Sequence, residues 1–428
     1  MRRDFLARSI WLTAGSAAGR LLPYLVLIGM GRKLASADFA SLAVAFAWSA
    51  VAASLTTSGL ANVATQRLAL VRNPAIAQRF ICRVGQTGIC AALILCTVTL
   101  LIGPRYVSLL FGKVLAPEAV VPGVVNGALW SLTLLAVAMM NGLHRPRDAA
   151  IALGIGGLLQ GLGMYLGHLW GSGVSGLLWG LTAGSAGGLG WAVLSIFGSH
   201  KQPPGRETAS DQNPHHRLWS DTAWNSLAAA CVTPVTLGVS SLLTHGTQGA
   251  QQLAAFHALE QAHQLAVFVP GILAQALLPA LTVRLNEDPA RGIRRIIRLA
   301  LLFAIAGSVL ALGLAWEPRW FHRLLGNPAL TQEAATRWMF LHAGLSVALG
   351  LVGSALMARS RYAVATSLNM IWAASFWGLS LLLADEGASG LQLARLCASW
   401  TLFGLACLTL WLISRPVTAG GRARALLK

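Results

Sequence analysis

Charge is what this chain lacks. Of its 428 residues only 11% are Asp, Glu, Lys or Arg, against about 25% in a soluble protein. That shortage excludes an ordinary soluble globule. Lysine is scarcer still, with only Lys33, Lys113, Lys201 and Lys428. An ATP-driven pump carries a phosphate-binding loop ending Gly-Lys-Ser/Thr. Here only Lys113 follows a glycine, and Val114 comes next. There is no built-in ATPase. Cysteine is sparse too: Cys82, Cys90, Cys96, Cys231, Cys397 and Cys407 fall within or beside apolar stretches. That placement implies no disulfide framework, and they read as small apolar core residues. Zinc, dinucleotide and nucleophile-elbow motifs are missing from any credible context, so no cofactor, metal or catalytic residue is expected. His200, His215 and His216 share one polar stretch, without a carboxylate or cysteine cluster to complete a metal site.

What is present is apolar sequence in long runs. Hydrophobic residues make up 55% of the chain, and the mean hydropathy is +0.63. No charged residue falls between Asp38 and Arg67, Arg83 and Arg105, Glu118 and Arg145, or Arg337 and Arg359. The stretch from Asp148 to Lys201 is charge-free for long enough to cross a bilayer twice, turning at Trp170–Gly173. A span needs ~20 apolar residues, and only a helix satisfies its own backbone there. By that length rule the chain holds about twelve such helices. They fall near 9–31, 40–65, 84–103, 119–142, 149–168, 175–198, 219–243, 254–281, 299–316, 338–357, 362–384 and 389–414.

The net charge of +18 raises the question of nucleic acid, and the placement of the charges answers it. With the N-terminus inside, the inner segments hold 23 Lys and Arg and the outer segments 7. This is the positive-inside bias of a membrane protein, and it accounts for the charge without nucleic acid. Both termini are therefore expected in the cytoplasm. Met1–Leu6 resembles a twin-arginine export signal, but no soluble domain follows it, so it reads as a basic cytoplasmic N-terminus.

The chain also repeats itself. Asn73–Arg83 aligns with Asp288–Arg298, Pro104–Gly112 with Pro318–Gly326, Glu118-Ala119 with Glu333-Ala334, and Arg145-Pro-Arg147 with Arg359-Ser-Arg361. The offset is 214 or 215 throughout. An offset spanning six helices leaves both copies in the same orientation, as a parallel repeat about an axis along the membrane normal. The expected organisation is an N-terminal six-helix lobe over 1–198 and a cytoplasmic linker over 199–217. A C-terminal six-helix lobe follows over 218–414, and a tail over 415–428. The fold expected is all-α and polytopic, two lobes around a central cleft, working by alternating access.

Arg20-Leu-Leu-Pro-Tyr24, Leu34-Ala-Ser-Ala-Asp-Phe39, Ser58-Gly-Leu-Ala61, Arg67-Leu-Ala69 and Leu277-Leu-Pro-Ala-Leu281 together resemble the polysaccharide transporter family. That family belongs to the multidrug/oligosaccharidyl-lipid/polysaccharide exporter superfamily. The usual run after its first helix is Leu-Gly-x-x-x-Phe-Gly, and both glycines are replaced here. The other large group with six-plus-six parallel halves, the major facilitators, usually carries an acidic-basic glycine run between helices two and three. Thr65–Pro74 does not match it. The resemblance implies flipping of undecaprenyl-pyrophosphate-linked sugars across a bacterial inner membrane. Its partners would be a lipid-linked anionic oligosaccharide, anionic phospholipids, and a polymerase or glycosyltransferase of the same pathway. Two rivals stay open: an antiporter of small, often cationic compounds, and a membrane-embedded biosynthetic protein.

Polar residues at membrane depth are the candidate site. Arg20 lies at the middle of the first helix, where a charge is costly and must face a cavity or partner. Thr13, Ser16, Arg20 and Tyr24 recur at helical spacing and form one stripe. A guanidinium there suits a pyrophosphate, or else a structural pair. In helix eight, Glu260 is the one carboxylate placed clearly within a span, with His257 one turn before it. Together they suit ion coupling, unless both sit hydrated at the outer interface. Arg395, about two turns into the last helix, is expected to snorkel outward. Arg79, Arg83, Arg294 and Arg298 are repeat-related, and read either as captors of an anionic head group or as ordinary inside anchors.

Overall fold

A backbone amide in hydrocarbon has no water to bond, so each charge-free run must close its own hydrogen bonds. The computed structural model describes residues 2–31, 34–69, 71, 73–111, 119–171, 173–198, 218–245, 248–267, 285, 289–317, 319–320, 323, 332–359 and 361–414. The first half holds α1 (Arg2–Gly31), α2 (Ser36–Ala53), α3 (Gly59–Leu68), α4 (Pro74–Phe111), α5 (Val120–Gly142), α6 (Pro146–Leu169) and α7 (Gly173–Gly198). The second holds α8 (Leu218–Ala230), α9 (Thr233–Ser240), α10 (Gly249–Ala266), α11 (Pro289–Trp316), α12 (Glu333–Ala358), α13 (Tyr362–Leu383) and α14 (Gly387–Ser414). A π-helical turn over Ser54–Ser58 joins α2 to α3 in one rod. Helices α8 and α9 meet at Cys231 and Val232, just before Pro234, whose ring removes one backbone donor. Counting each joined pair once leaves twelve helical segments among the described residues, and no strand appears there. Among the described residues nine stretches are long and apolar enough to cross a membrane, the last of them holding both α13 and α14.

The expected helix ends moved where charge was used to mark them. The helix expected over 84–103 runs from Pro74 to Phe111. At ~1.5 Å per residue its 38 residues far exceed the hydrocarbon thickness. Arg79, Arg83 and Arg105 therefore sit on the helix rather than in loops. The linker expected over 199–217, the tail over 415–428 and residues 268–281 of the expected eighth helix lie outside the described residues.

The two halves pack alike. In the first, α5 packs on α2, α4, α6 and α7, α7 on α6, and α1 on α6. In the second, α12 packs on α10, α11, α13 and α14, α14 on α13, and α8 on α13. Glycines of left-handed φ open the last helix of each half, Gly173 at 59° and Gly387 at 64°, conformations that cost a residue with a Cβ. Helices α4 and α11 carry broad exposed apolar faces, including Leu93, Ile94 and Leu101 on one and Leu302, Ile305 and Leu310 on the other. Such faces suit lipid.

Inside the first half the helices meet at small residues. A Cβ on Gly163 of α6 would lie 2.1 Å from the carbonyl oxygen of Gly180 on α7, and one on Gly180 would lie 1.9 Å from that of Gly163. Without a hydrophobic drive between helices in lipid, such close backbone approach is what holds them together.

The halves meet along the rod of α2 and α3, which packs against α8, α9 and α10. Leu237, Leu253, Ala254 and Ala258 join Phe39, Leu42 and Ala43 in one buried cluster. Nearer the other end of the rod, Arg67 pairs with Asp221 at 2.7 Å. The Tyr362 hydroxyl beside it donates to Gln66 Oε1.

Candidate functional site

Helix α10 carries an unusual polar load for a buried helix. Glu260, His263 and Gln264 recur at helical spacing, so they share a face. Opposite stand Arg395 of α14, with Gln392 one turn before it, and His342 and Ser346 of α12. The register is pinned at one end by Gln252, whose Oε1 accepts from the Ala388 amide at 2.9 Å and from Gln332 Nε2 at 2.7 Å. The Ala388 amide is an orphan donor of the first turn of α14, and Gln252 caps it.

Glu260 and Arg395 form a fork. Arg395 Nη1 donates to Glu260 Oε2 and Nη2 to Oε1 at 3.2 Å. Gln264 Nε2 adds a third donor to Oε1 at 3.0 Å. The side chains are 14% and 7% exposed, so the pair is held away from solvent. Behind it, the rings of His263 and His342 stack at 4.3 Å and 10°. His263 Nε2 lies 3.2 Å from Ser346 Oγ. Several buried polar atoms here lack a partner: His257 Nε2, His263 Nδ1, His342 Nδ1, Arg395 Nε and both polar atoms of Gln392. Such orphans are costly in a low-dielectric interior.

The first half has its own buried polar chain, and that one is closed. Gln160 donates to Ser185 at 2.7 Å, Ser185 to Asn126 at 2.5 Å, and Asn126 to Ser49 at 3.2 Å. Ser49 ends the chain on the Gly123 carbonyl at 2.6 Å. It ties α2, α5, α6 and α7 together, and a satisfied network of this kind specifies packing.

The chain matches the model of the polysaccharide biosynthesis protein family over residues 5–283. It belongs to that family. No curated protein matches it. Among solved structures it is similar to the MATE multidrug transporter DinF-BH, at TM-score 0.73 and 14% identity, over 96% of each chain. It is similar to the lipid II flippase MurJ in an inward closed conformation, at TM-score 0.66 and 12% identity, over 95% of this chain and 90% of that one. A MOP superfamily transporter from Pyrococcus furiosus, described as having a binding pocket of reverse polarity, gives TM-score 0.61 and 14% identity, over 96% and 94%. At such identities the likeness is one of fold. The fold is that of helical membrane transporters of this superfamily.

Within this family member the expected site residues fare unevenly. The side chains of Thr13, Ser16 and Arg20 lie outside the described residues. Tyr24 is half-buried and packs against the core cluster of α2. Gly15 and Gly19 of α1 press on Ala150 and Leu153 of α6. Glu260 is half-buried, its carboxylate held by Arg395 and Gln264. The imidazole expected beside it, His257, is 2% exposed with Nε2 unpartnered. Arg395 does not snorkel outward: it is 6% exposed and bound to Glu260. A carboxylate 135 residues away in sequence captured it.

Arg79 and Arg83 stand exposed on α4, lining an open groove of about 680 Å³ with Gln78, Cys82 and Gln86. Arg294 and Arg298 stand exposed on α11. The cysteines differ from expectation too, since Cys82, Cys90 and Cys397 are exposed rather than buried. Residues that sequence reading passed over are His263, His342, Ser346 and Gln392. The available signal was helical spacing, which puts Gln392 and Arg395 on one face of α14 and His342 and Ser346 on one face of α12.

Proposed function

We propose that this protein is a flippase that passes a lipid-linked, anionic oligosaccharide from the cytoplasmic to the outer leaflet of a bacterial inner membrane. The substrate carrier is undecaprenyl-pyrophosphate, and the drive is an ion gradient rather than ATP. Family membership supports the polysaccharide pathway, and the flippase among the similar folds supports a lipid cargo. The observation that carries the reading is the charge balance within the spans. Glu260 is neutralised by Arg395, so it offers no free negative charge to a cationic drug. The remaining mid-span charge is Arg20, whose fork suits a pyrophosphate.

In this reading Arg20, Tyr24, Ser16 and Thr13 line the cargo path, and Arg79, Arg83, Arg294 and Arg298 gather the head group and anionic phospholipid at the cytoplasmic surface. Glu260 carries the ion coupling, with His257 one turn before it. Both termini and the segment 199–217 face the cytoplasm, on the strength of the 23 to 7 charge bias. A polymerase or glycosyltransferase of the same pathway would receive or supply the cargo.

The test is reconstitution of the full chain into vesicles holding either a pyrophosphate-linked oligosaccharide or a cationic dye. Flipping of the sugar lipid, lost in Arg20→Ala and not restored in Arg20→Lys, is the expected result. Dye efflux without sugar flipping would replace this reading with a multidrug antiporter. Cysteine labelling from either side checks the orientation, and an outward-facing 199–217 segment would overturn it.

A further inference from the structure

The hydrogen bonds around the stacked histidines fix which nitrogen carries a proton. Ser346 Oγ lies 2.8 Å from the His342 carbonyl oxygen. A carbonyl only accepts, so the hydroxyl proton of Ser346 is spent there. Its oxygen can then only accept from His263 Nε2, 3.2 Å away. His263 is therefore the Nε2–H tautomer, and its Nδ1 is a bare lone pair. That Nδ1 is among the buried atoms without a partner, in a side chain 4% exposed.

A lone pair sealed in the interior is a place for a proton. We propose that the second half of the protein holds a proton site at His263 Nδ1, where a bound proton and the Arg395 guanidinium compete for the Glu260 carboxylate. This deepens the ion-coupled reading above and rests on it, by naming the ion and the atom that takes it.

The surroundings choose a proton over a metal cation. Sodium, like calcium or magnesium, is a hard cation that wants oxygen ligands. Both oxygens of Glu260 already accept from Arg395 and Gln264. Of the unpartnered atoms here, Arg395 Nε and Gln392 Nε2 carry hydrogens and bind no cation, so the sites left to accept are imidazole nitrogens of His263, His342 and His257 and a single oxygen, Gln392 Oε1. The charged groups that act on His263 are Arg395 from α14 and Glu260 from its own helix. From α12 it faces the neutral His342. The charges of α2 and α11 lie at their ends: Asp38 is exposed in the first turn of α2, and Arg291, Arg294, Arg295 and Arg298 are exposed in the opening turns of α11.

The step is simple. A hydronium ion gives its proton to Nδ1, leaving water, and the new N–H bond turns the ring into an imidazolium one turn from Glu260. Two cations then share one carboxylate, the fork to Arg395 opens, and the contact between α10 and α14 loosens. Loss of the proton restores the pair seen here. Only one ring of the stack takes a proton, because two imidazoliums at 4.3 Å would repel.

The test reads the histidines directly and needs no cargo, so it stands or falls apart from the flippase assay. Nitrogen-15 histidine spectra are recorded on the full chain in lipid nanodiscs near neutral pH. In the wild type, the resonance pair that vanishes in His263→Gln is expected to show a neutral ring protonated at Nε2. In Arg395→Gln that same residue is expected to lose its neutral signal and appear as imidazolium, now the counterion of Glu260. In Arg395→Gln with Glu260→Gln the neutral ring should return. A wild-type ring protonated at Nδ1 overturns the proposal, and so does a neutral His263 in folded Arg395→Gln. If Arg395→Gln does not fold, the wild-type tautomer alone decides.

Discussion

At the residue scale, Glu260 and Arg395 are an asymmetric pair. A buried carboxylate left alone takes up a proton and becomes neutral. A guanidinium left alone stays charged in proteins. Breaking a buried pair by removing one partner costs about 3–5 kcal/mol. The full cost is therefore expected in Glu260→Gln, which strands Arg395, and a smaller one in Arg395→Gln, where Glu260 has other cations or protons at hand. Thermal unfolding of the purified full chain checks this. Equal melting temperatures for Glu260→Gln and wild type would remove the pair from the stability of the second half. The carboxylate was legible in the sequence because no other lies so deep in an apolar run. Its partner was not. A helix places residues three before and three after a given position on the same side, so spacing alone offered His257 and His263 equally. The choice between them comes from α12 and α14, which bring His342, Ser346 and Arg395 to the His263 side. Those contacts are long-range in sequence and leave no local mark.

At the element scale, contact between helices α6 and α7 depends on the absence of side chains. Gly180→Ala would push a methyl to within 1.9 Å of the Gly163 carbonyl oxygen, so the helices must separate. Gly190, on the same α7, has nothing within 4 Å of such a methyl. Gly180→Ala is therefore expected to lower membrane abundance and melting temperature, and Gly190→Ala to leave both unchanged. A neutral Gly180→Ala would show that α6 and α7 can part without loss. The helices themselves were legible, since a run of apolar residues with no charge has one solution in lipid. Their ends were less so. Charge marks where hydrocarbon stops, and a helix can continue into the interface where charges are hydrated, as α4 does through Arg79, Arg83 and Arg105. The breaks at Ser54–Ser58 and at Cys231 were also silent. One depends on hydroxyls that bond back to the backbone, such as Thr56 to the Ala52 carbonyl at 2.7 Å. The other depends on Pro234, which reads equally well as the start of a helix.

At the scale of the whole molecule, the two halves are similar units that must move against one another if cargo is to pass. The repeat was readable because its marks are local ones: the prolines that open α4 and α11, and the arginine pairs at the starts of α6 and α13. The interface between the halves was not readable, because its contacts are long-range in sequence and leave no local mark, even where it joins the counterparts α2 and α10. Two polar contacts cross it near the ends of α3 and α8, Arg67 to Asp221 and Tyr362 to Gln66. The side chains of Arg67 and Asp221 are 15% and 26% exposed, and a pair so placed is worth less than a buried one. That is the strength a latch needs if an equilibrium of a few kcal/mol is to be shifted by cargo or ion. Asp221→Asn with Tyr362→Phe removes both contacts while keeping the side-chain shapes. Spin labels at the exposed Ala69 and Ser220 flank the latch. In the wild type they should report mainly one short distance. In the double variant a longer population should grow, while the buried cluster of Phe39, Leu42 and Leu253 acts as the pivot at the opposite end. An unchanged distance distribution would mean that apolar packing between α3 and α8, not the polar pair, keeps this end shut.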